Sequence, residues 1–388
     1  KDAHDNLPMN LLLTTTILAW LGATGWSLHY LRLAGLAKKA RRRPDTSAEC
    51  QPVSIVMAVH NQESALAACL PVILAQNYEA AFEVIVVDMN SDDNTLKLLE
   101  RLEEENVHLH HTFCPGTARD ISLSRLALTL GFRSACYEWV LILAPDVCPL
   151  SPDWLSGMAQ SFTRDVDAVQ GFAYYNHPHG WSGIRQHFFR LWQQTLWMPW
   201  NVRFAPYRAD DSCLAYRKSL FMSHQGFASS FSLRYGAATL LVNHNVRRKR
   251  MGLALATEAR LAESQPDTQS WRNRQLFYME TRRHMRHACP YRLWYAMCLY
   301  GNFMWLPLAA FTAAHFHPHV YITLGLAAMW LVSVLTACAS WHHMARVLGV
   351  RSYALLLPLL LPLVPWWDLS AWLRWRFESR KTFRKKFV

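Results

Sequence analysis

The sequence predicts an α/β fold with a mainly parallel sheet, and three stretches between residues 52 and 153 carry this prediction. Apolar runs begin at Val53, Phe82 and Trp139, and each ends in turn-forming or acidic residues. Helical patterns lie between the runs, so crossover connections join the strands and make them parallel. Ligands of such sheets bind beyond the carboxyl ends of the strands. We therefore expect a ligand crevice where these three strands end.

The periodicity of apolar residues gives bounds for each element of this region. Apolar runs bounded by turn residues predict strands, and apolar residues at helical spacing predict helices. The predicted strands are Val53–Val59, Phe82–Asp88 and Trp139–Leu143, and the predicted helices are Glu63–Gln76, Asp92–Asn106 and Ile121–Ala135.

The composition favours a protein that acts at a membrane. The 388 residues carry a net charge of +12, and 52% of them are hydrophobic. A positive balance suits nucleic acid or an anionic membrane surface. The basic residues stand beside long apolar segments, so we expect a lipid bilayer as partner and no nucleic acid. The nine Cys form no CxxC pair, which favours reduced thiols over a disulfide framework.

Transmembrane helices are predicted at both ends of the chain. Residues 6–30 form the first, and residues 290–341 hold two more, Leu293–Ala314 and Val320–Trp341, because these segments are long and uncharged. Basic residues follow the first segment and flank the later pair, so the main domain lies in the cytoplasm. Residues 352–388 carry three prolines and a basic tail, which predicts a broken re-entrant or interfacial hairpin.

Residues 52–280 form the predicted main domain, and residues 181–200 within it read as a Trp-rich helix. We interpret this helix as lying at the membrane interface, where Trp and Tyr are favoured. The alternative is an apolar stripe that packs into the domain core, and periodicity does not distinguish the two.

Eight runs of the sequence carry a resemblance: SIVMAVHNQ, EVIVVDMNSDDNT, LALTLGF, YEWVLILAPDV, SPDWL, LAYRKSLF, GFAS and LLVN. They are similar to those of bacterial, membrane-bound family 2 glycosyltransferases of the kind common in the Bacteroidetes. The resemblance extends from about Val53 to the carboxyl end. It implies a GT-A-like domain, a nucleotide-sugar donor, a divalent metal and inversion at the anomeric carbon. It also implies the bacterial inner membrane as location.

The resemblance also shows which reactive groups this chain lacks. Members carry a paired acidic or amide residue after the second strand, where this chain has Asp88 followed by Met89. Their metal motif resembles Asp-Ala-Asp, and only Asp146 remains of it here. The acceptor-base position is occupied by Ala237 and Ala238. Loss of one essential group typically costs about 10²–10⁴ in rate.

These losses predict a pseudo-glycosyltransferase that acts as a binding or scaffold subunit of a membrane assembly, together with other membrane proteins. No catalytic residue and no cofactor are expected. A residual nucleotide-sugar crevice would consist of Asn61, Asp88, Asp93 and Asp146.

Alternatives remain open at this stage. An active inverting transferase would use UDP-sugar with Mn²⁺ or Mg²⁺ on Asp146, and Asp210 and Asp211 would have to substitute for the lost carboxylates. The pattern favours a solvated turn for that pair, and a helix cap for Asp153, which could otherwise assist Asp146. A small transporter is a third class, but the apolar spans offer no ion pathway. Two His-rich stretches, His108–Cys114 and His315–His319, have weak metal-like composition.

Overall fold

The computed structural model describes residues 25, 27–40, 50–115, 122–176, 178–233, 235–301 and 320–378. The chain divides into two compact units. One unit comprises residues 39–191, 200–287 and 371–388, and the other comprises residues 1–38, 192–199 and 288–370. The first contains the sheet and is called the sheet unit below.

The strands of the described part form one curled sheet. Their order is β3-β2-β1-β4-β7-β6-β9-β5, with β8 beside β6. The strands β1 to β4 run parallel, and β7 is antiparallel to both of its neighbours. The bounds are β1 Val53–Val59, β2 Phe82–Asp88, β3 Leu109–Phe113, β4 Trp139–Leu143, β5 Val147–Pro149, β6 Ala168–Tyr175, β7 Cys213–Arg217, β8 Met251–Ala254 and β9 Arg260–Glu263.

Helices of the sheet unit cover both faces of the sheet. In α2 the buried Thr95, Leu99 and Leu102 recur at helical spacing, which gives one apolar stripe toward the sheet. The helices of this unit are α1 Glu63–Leu74, α2 Thr95–Glu105, α3 Leu123–Ser134, α4 Trp154–Ala159, α5 Gly180–Arg203 (which continues into the other unit), α6 Lys218–Ser223, α7 Ala237–Asn245 and α8 Thr268–Thr281.

Two apolar cores lie on opposite faces of the sheet, because successive strand residues point to opposite sides. Ile55 and Met57 enter one core, and Val56 enters the other. Burial on both faces explains why β1, β2 and β4 read as uninterrupted apolar runs. The predicted bounds of these three strands are confirmed.

The second unit is mainly helical over its described residues. Residues 27–40 are helical, and the further helices are α9 Cys289–Gly301, α10 Val320–Leu348, α11 Leu357–Leu360 and α12 Val364–Phe377. Tyr30 packs edge-on against Trp341 with ring centroids 5.0 Å apart, and the Tyr295 hydroxyl donates a hydrogen bond to Asp368. Between α11 and α12 lies a 3-10 turn, Leu361–Leu363, and the predicted membrane hairpin of residues 352–388 stays a prediction.

The predicted transmembrane helices are not found in the part of the chain that the structure describes. No helix there has both the length and the apolar character that a membrane crossing requires. The predicted first span, residues 6–30, falls largely outside the described residues, as do residues 302–319 of the predicted pair.

Packing bears on two further expectations. In the sheet-unit part of α5 the side chains of Phe188, Phe189 and Leu191 are buried, whereas Trp181 near its start is 52% exposed. The buried residues fit the core-stripe alternative, and a position at a membrane interface stays a prediction. Cys69 and Cys148, expected as thiols, are joined by a disulfide with Cα atoms 5.0 Å apart. Burial brought the two together, since both lie on the same core face.

Candidate functional site

A cavity of about 280 Å³ opens in the sheet unit at the end of β4. Its walls come from the β4–β5 turn, the segment before β7, the loop before α7, the end of β9 and one face of α8. This is the edge at which the parallel strands β1 and β4 end, where α/β sheets bind ligands. The charged residues of its wall are Asp146, Arg208, Asp210, Asp211, Glu263 and Arg274.

An ion-pair network of Asp146, Arg190, Asp210, Glu263 and Arg274 crosses one side of this cavity. Glu263 is its centre, since one carboxylate oxygen accepts from Arg190 and the other accepts from Arg274. Arg190 also binds Asp210 at 3.1 Å, and Arg274 binds Asp146 at 3.3 Å. The pairing of Val147 with Glu263 between β5 and β9 holds Asp146 beside the network.

The network controls the ionisation of its members. Burial alone would lower the pKa of Arg190, but the adjacent carboxylates of Glu263 and Asp210 outweigh it and raise this pKa. Burial would raise the pKa of Asp210, and Arg190 reverses this and lowers it. At Asp146 burial, assisted by the charge of Glu263, raises the pKa in spite of Arg274. The network therefore consists of charged pairs. Of its two aspartates, Asp146 is protonated more easily than Asp210.

Asp211 also lines the cavity, and it lies in a turn where its side chain is exposed. One carboxylate oxygen accepts a hydrogen bond of 2.6 Å from the backbone N–H of Ala238, in the first turn of α7. Desolvation raises the pKa of Asp211. The predicted solvated turn therefore describes Asp211, whereas Asp210 is partly buried and paired with Arg190.

Ala237 and Ala238, at the predicted acceptor-base position, begin α7 directly behind this wall. Both side chains are buried in the core. Asp211 thus brings a carboxylate next to the predicted acceptor-base position, where Ala237 and Ala238 carry no carboxylate themselves.

A buried arginine holds the loop before α7 in place. Arg125 on α3 donates to the hydroxyl of Ser230 and, at 2.6 Å, to the carbonyl oxygen of Tyr235. Burial lowers the pKa of Arg125 to about 10. Tyr235 in turn stacks on Phe277 with centroids 3.5 Å apart, and the two rings form a flat apolar wall of the cavity.

The other predicted site residues hold loops together. Asn61 accepts from the N–H of Asp92 at 2.7 Å, and buried Asp88 accepts from the N–H of Ser91 at 3.1 Å. Asp93 accepts from the backbone N–H groups of Thr95 and Glu63. None of these three side chains lines the cavity, so the structure separates them from Asp146.

Two weaker candidates are also placed outside the cavity. Asp153 stands at the start of α4 and accepts from Asn77 at 3.1 Å. His110 and His111 pair with Glu103 on α2, while Nδ1 of His108 lies 3.1 Å from the carbonyl oxygen of Phe82. Residues 315–319 lie outside the described part of the chain.

The cavity does not fit a divalent metal ion. In the part of the chain that the structure describes, no three His, Cys, Asp or Glu side chains form a metal-binding group. Ala144 supplies no ligand, Asp146 is paired with Arg274, and both oxygens of Glu263 are engaged by guanidinium groups. A cation would first have to displace Arg274.

The sequence patterns missed Glu263, Arg190 and Arg208. Arg190 is a single charge within the apolar and aromatic run HFFRLW, whereas Arg208 and Glu263 stand among other charged residues. A charge in a buried stripe signals a buried partner, but it does not identify that partner, which here lies 73 positions away.

Comparison with known proteins finds a family model similar to part of the sheet unit. Residues 54–224 match the model of the family described as Glycosyl transferase family 2. No curated protein matches the sequence.

The fold of this chain is similar to that of a solved enzyme, mannosyltransferase PcManGT from Pyrobaculum calidifontis in complex with GDP-Man and Mn²⁺. The two share 17% identity and a TM-score of 0.54, over 95% of this chain and 100% of that chain. TarS of S. aureus matches with 15% identity and a TM-score of 0.44, over 83% of this chain and 54% of that chain. The first likeness supports the GT-A fold.

Proposed function

We propose that this chain is a glycosyltransferase-like binding subunit that keeps a nucleotide-sugar cavity and has lost metal-dependent sugar transfer. One observation carries the proposal: guanidinium groups of Arg190 and Arg274 already neutralise Glu263 and Asp146 where a metal would be needed. Transfer from a nucleotide sugar places negative charge on a diphosphate, and a carboxylate-bound metal usually stabilises it.

The acceptor side supports the same proposal. A hydroxyl that attacks the sugar has to lose its proton to a base within hydrogen-bond reach. The residues at the family's base position are the buried Ala237 and Ala238. Loss of groups on both sides of the reacting carbon removes two independent contributions to the rate.

The test is a turnover assay on the purified full-length chain. GDP-mannose and UDP-sugars are supplied with excess Mn²⁺, and release of nucleoside diphosphate is measured beside an active family 2 enzyme as positive control. We expect release at the rate of the protein-free blank. Turnover above the blank that requires Mn²⁺ would overturn the proposal.

A second candidate is metal-independent transfer with Asp211 as the base. Its support is specific, because Asp211 faces the cavity and desolvation raises its pKa toward the range that suits a general base. The discriminating result is turnover that survives EDTA and is abolished in Asp211→Asn. Turnover that Asp211→Asn leaves intact would contradict this candidate.

We also propose, from the apolar segments and basic residues of the sequence, that the chain works at a membrane with other membrane proteins. Extraction in mild detergent followed by size-exclusion chromatography tests this. Co-elution with a larger assembly is expected, and elution as a single chain would count against it.

A further inference from the structure

We propose that Arg274, supported by Arg190, takes the place of the divalent cation, so that the cavity binds an organic diphosphate without metal. This inference rests on the proposed function, because it concerns the same cavity and its nucleotide ligand.

The two arginines bring as many positive charges as a divalent cation would. Here the guanidinium groups of Arg190 and Arg274 lie against Glu263 and Asp146, and Arg190 also pairs with a third carboxylate, that of Asp210. These groups remain protonated, since the carboxylates raise the pKa of both Arg190 and Arg274 against the effect of burial.

The exposures assign different tasks to the two arginines. Arg190 and Glu263 have side chains only 10% and 2% exposed, so they form the fixed base of the network. The side chain of Arg274 is 45% exposed and lies at the wall of the cavity. A guanidinium has five N–H donors, and the contacts to Glu263 and Asp146 use one nitrogen each. Arg274 therefore presents further donors on the cavity side.

A guanidinium suits the ligand as well as a metal does. Its planar donors match two phosphate oxygens at once, and such charge-assisted pairs are among the strong hydrogen bonds of proteins. Arg274, Phe277, Tyr278 and Thr281 lie three, four and seven positions apart on α8, so one helix face presents the donor and an aromatic wall together. Tyr235 stacked on Phe277 completes a flat surface for the organic part of the ligand.

The experiment is calorimetric titration of GDP and UDP into the full-length chain, once with EDTA and once with excess Mn²⁺. We expect the wild type to bind one of them with equal affinity in both buffers. Arg274→Gln should bind at least about tenfold more weakly in EDTA, because a charge-assisted pair is lost. Mn²⁺ should restore its binding, since the freed Asp146 and Glu263 oxygens then become metal ligands, and electron paramagnetic resonance should detect the bound Mn²⁺.

Asp146→Asn separates the two explanations by the sign of its effect. If Arg274 is the cation, removing the competing carboxylate strengthens diphosphate binding in EDTA. If Asp146 holds a metal, the same change weakens binding in Mn²⁺. Arg272→Gln is the matched control, because Arg272 is an exposed residue of the same helix outside the cavity wall, and its binding should equal that of the wild type.

Binding that requires Mn²⁺ in the wild type, or binding of neither nucleotide in either buffer, would overturn the inference. Unaltered affinity of Arg274→Gln in EDTA would do so too, provided that circular dichroism shows it folded. If Arg274→Gln does not fold, Asp146→Asn decides alone. Sugar turnover by the wild type in EDTA would contradict the proposed binding subunit and leave this inference standing. Nucleotide binding that requires Mn²⁺, without turnover, would contradict this inference and leave the proposed function standing.

Discussion

Arg190 is the residue on which the ion-pair network depends most. Its guanidinium lies between Glu263 and Asp210 and over the ring of Tyr175, 4.6 Å from the ring centroid. The side chain of Glu263 is buried, at 2% exposure, and that of Asp210 is partly buried, at 27% exposure. Removing a buried charge leaves its partners uncompensated, which is far more costly than the pair itself is stabilising.

Arg190→Met is therefore expected to lower the free energy of unfolding by about 3–5 kcal/mol, the usual result of breaking a buried ion pair. Urea denaturation followed by circular dichroism measures it. The matched control is Arg283→Met on an exposed pair, 3.9 Å from Glu280 with Arg283 52% exposed, where less than about 1 kcal/mol is expected. Equal losses in the two variants would show that the network does not stabilise the fold.

At the scale of elements, the loop before α7 positions the first turn of that helix, whose backbone N–H at Ala238 binds Asp211. Gly236 begins this helix with φ of +78°, a left-handed conformation in which a side chain is disfavoured. A Cβ at this position would meet Oγ1 of Thr281 at 2.5 Å and its Cγ2 at 2.6 Å. Glycine is needed here both for the backbone and for the close approach of α8.

Gly236→Ala should cost more stability than the same change at Gly180, which begins α5 with φ of +62° and has no atom within 4 Å of the added carbon. We expect about 1 kcal/mol for Gly180→Ala from the left-handed backbone alone, and about 1–2 kcal/mol beyond that for Gly236→Ala. Thermal unfolding of the two variants compares them. Equal shifts in melting temperature would mean that the Thr281 side chain moves away from the added carbon at no cost in stability.

The elements differ in how far the sequence could predict them. The strands β1, β2 and β4 were predicted with correct bounds because both of their faces are buried, which leaves a continuous apolar run. The strands β5, β8 and β9 are only three or four residues long, too short to show a period. Asp146 was predicted from its place after β4, but its partners Glu263 and Arg274 come from β9 and α8. Chain order carries no signal for such a contact.

At the scale of the whole molecule, the disulfide between Cys69 and Cys148 joins α1 to β5 across 79 positions of sequence. β5 pairs only with β9 in the described sheet, so it forms the edge next to the cavity. Spacing between cysteines could not predict this bond, because neither belongs to a short motif. A cross-link over a long loop acts mainly by restricting the unfolded chain.

The double variant Cys69→Ala, Cys148→Ala is expected to be less stable by about 2–4 kcal/mol, the usual effect of losing such a cross-link. Dithiothreitol should lower the melting temperature of the wild type toward that of the variant and leave the variant itself unchanged. If reductant shifts both proteins alike, the effect belongs to other thiols.

The ion-pair network also constrains how this domain can change through mutation. Side-chain exposure rises from Glu263 at 2% through Arg190 at 10% and Asp146 at 25% to Arg274 at 45%. Substitutions at the two inner positions pass through an unstable intermediate, because each leaves a buried charge without its partner. Exchange of Arg274, the most exposed member, carries the smallest penalty, because Arg190 still pairs with Glu263. Mutational paths between this metal-excluding cavity and a metal-binding one therefore begin, or end, at codon 274.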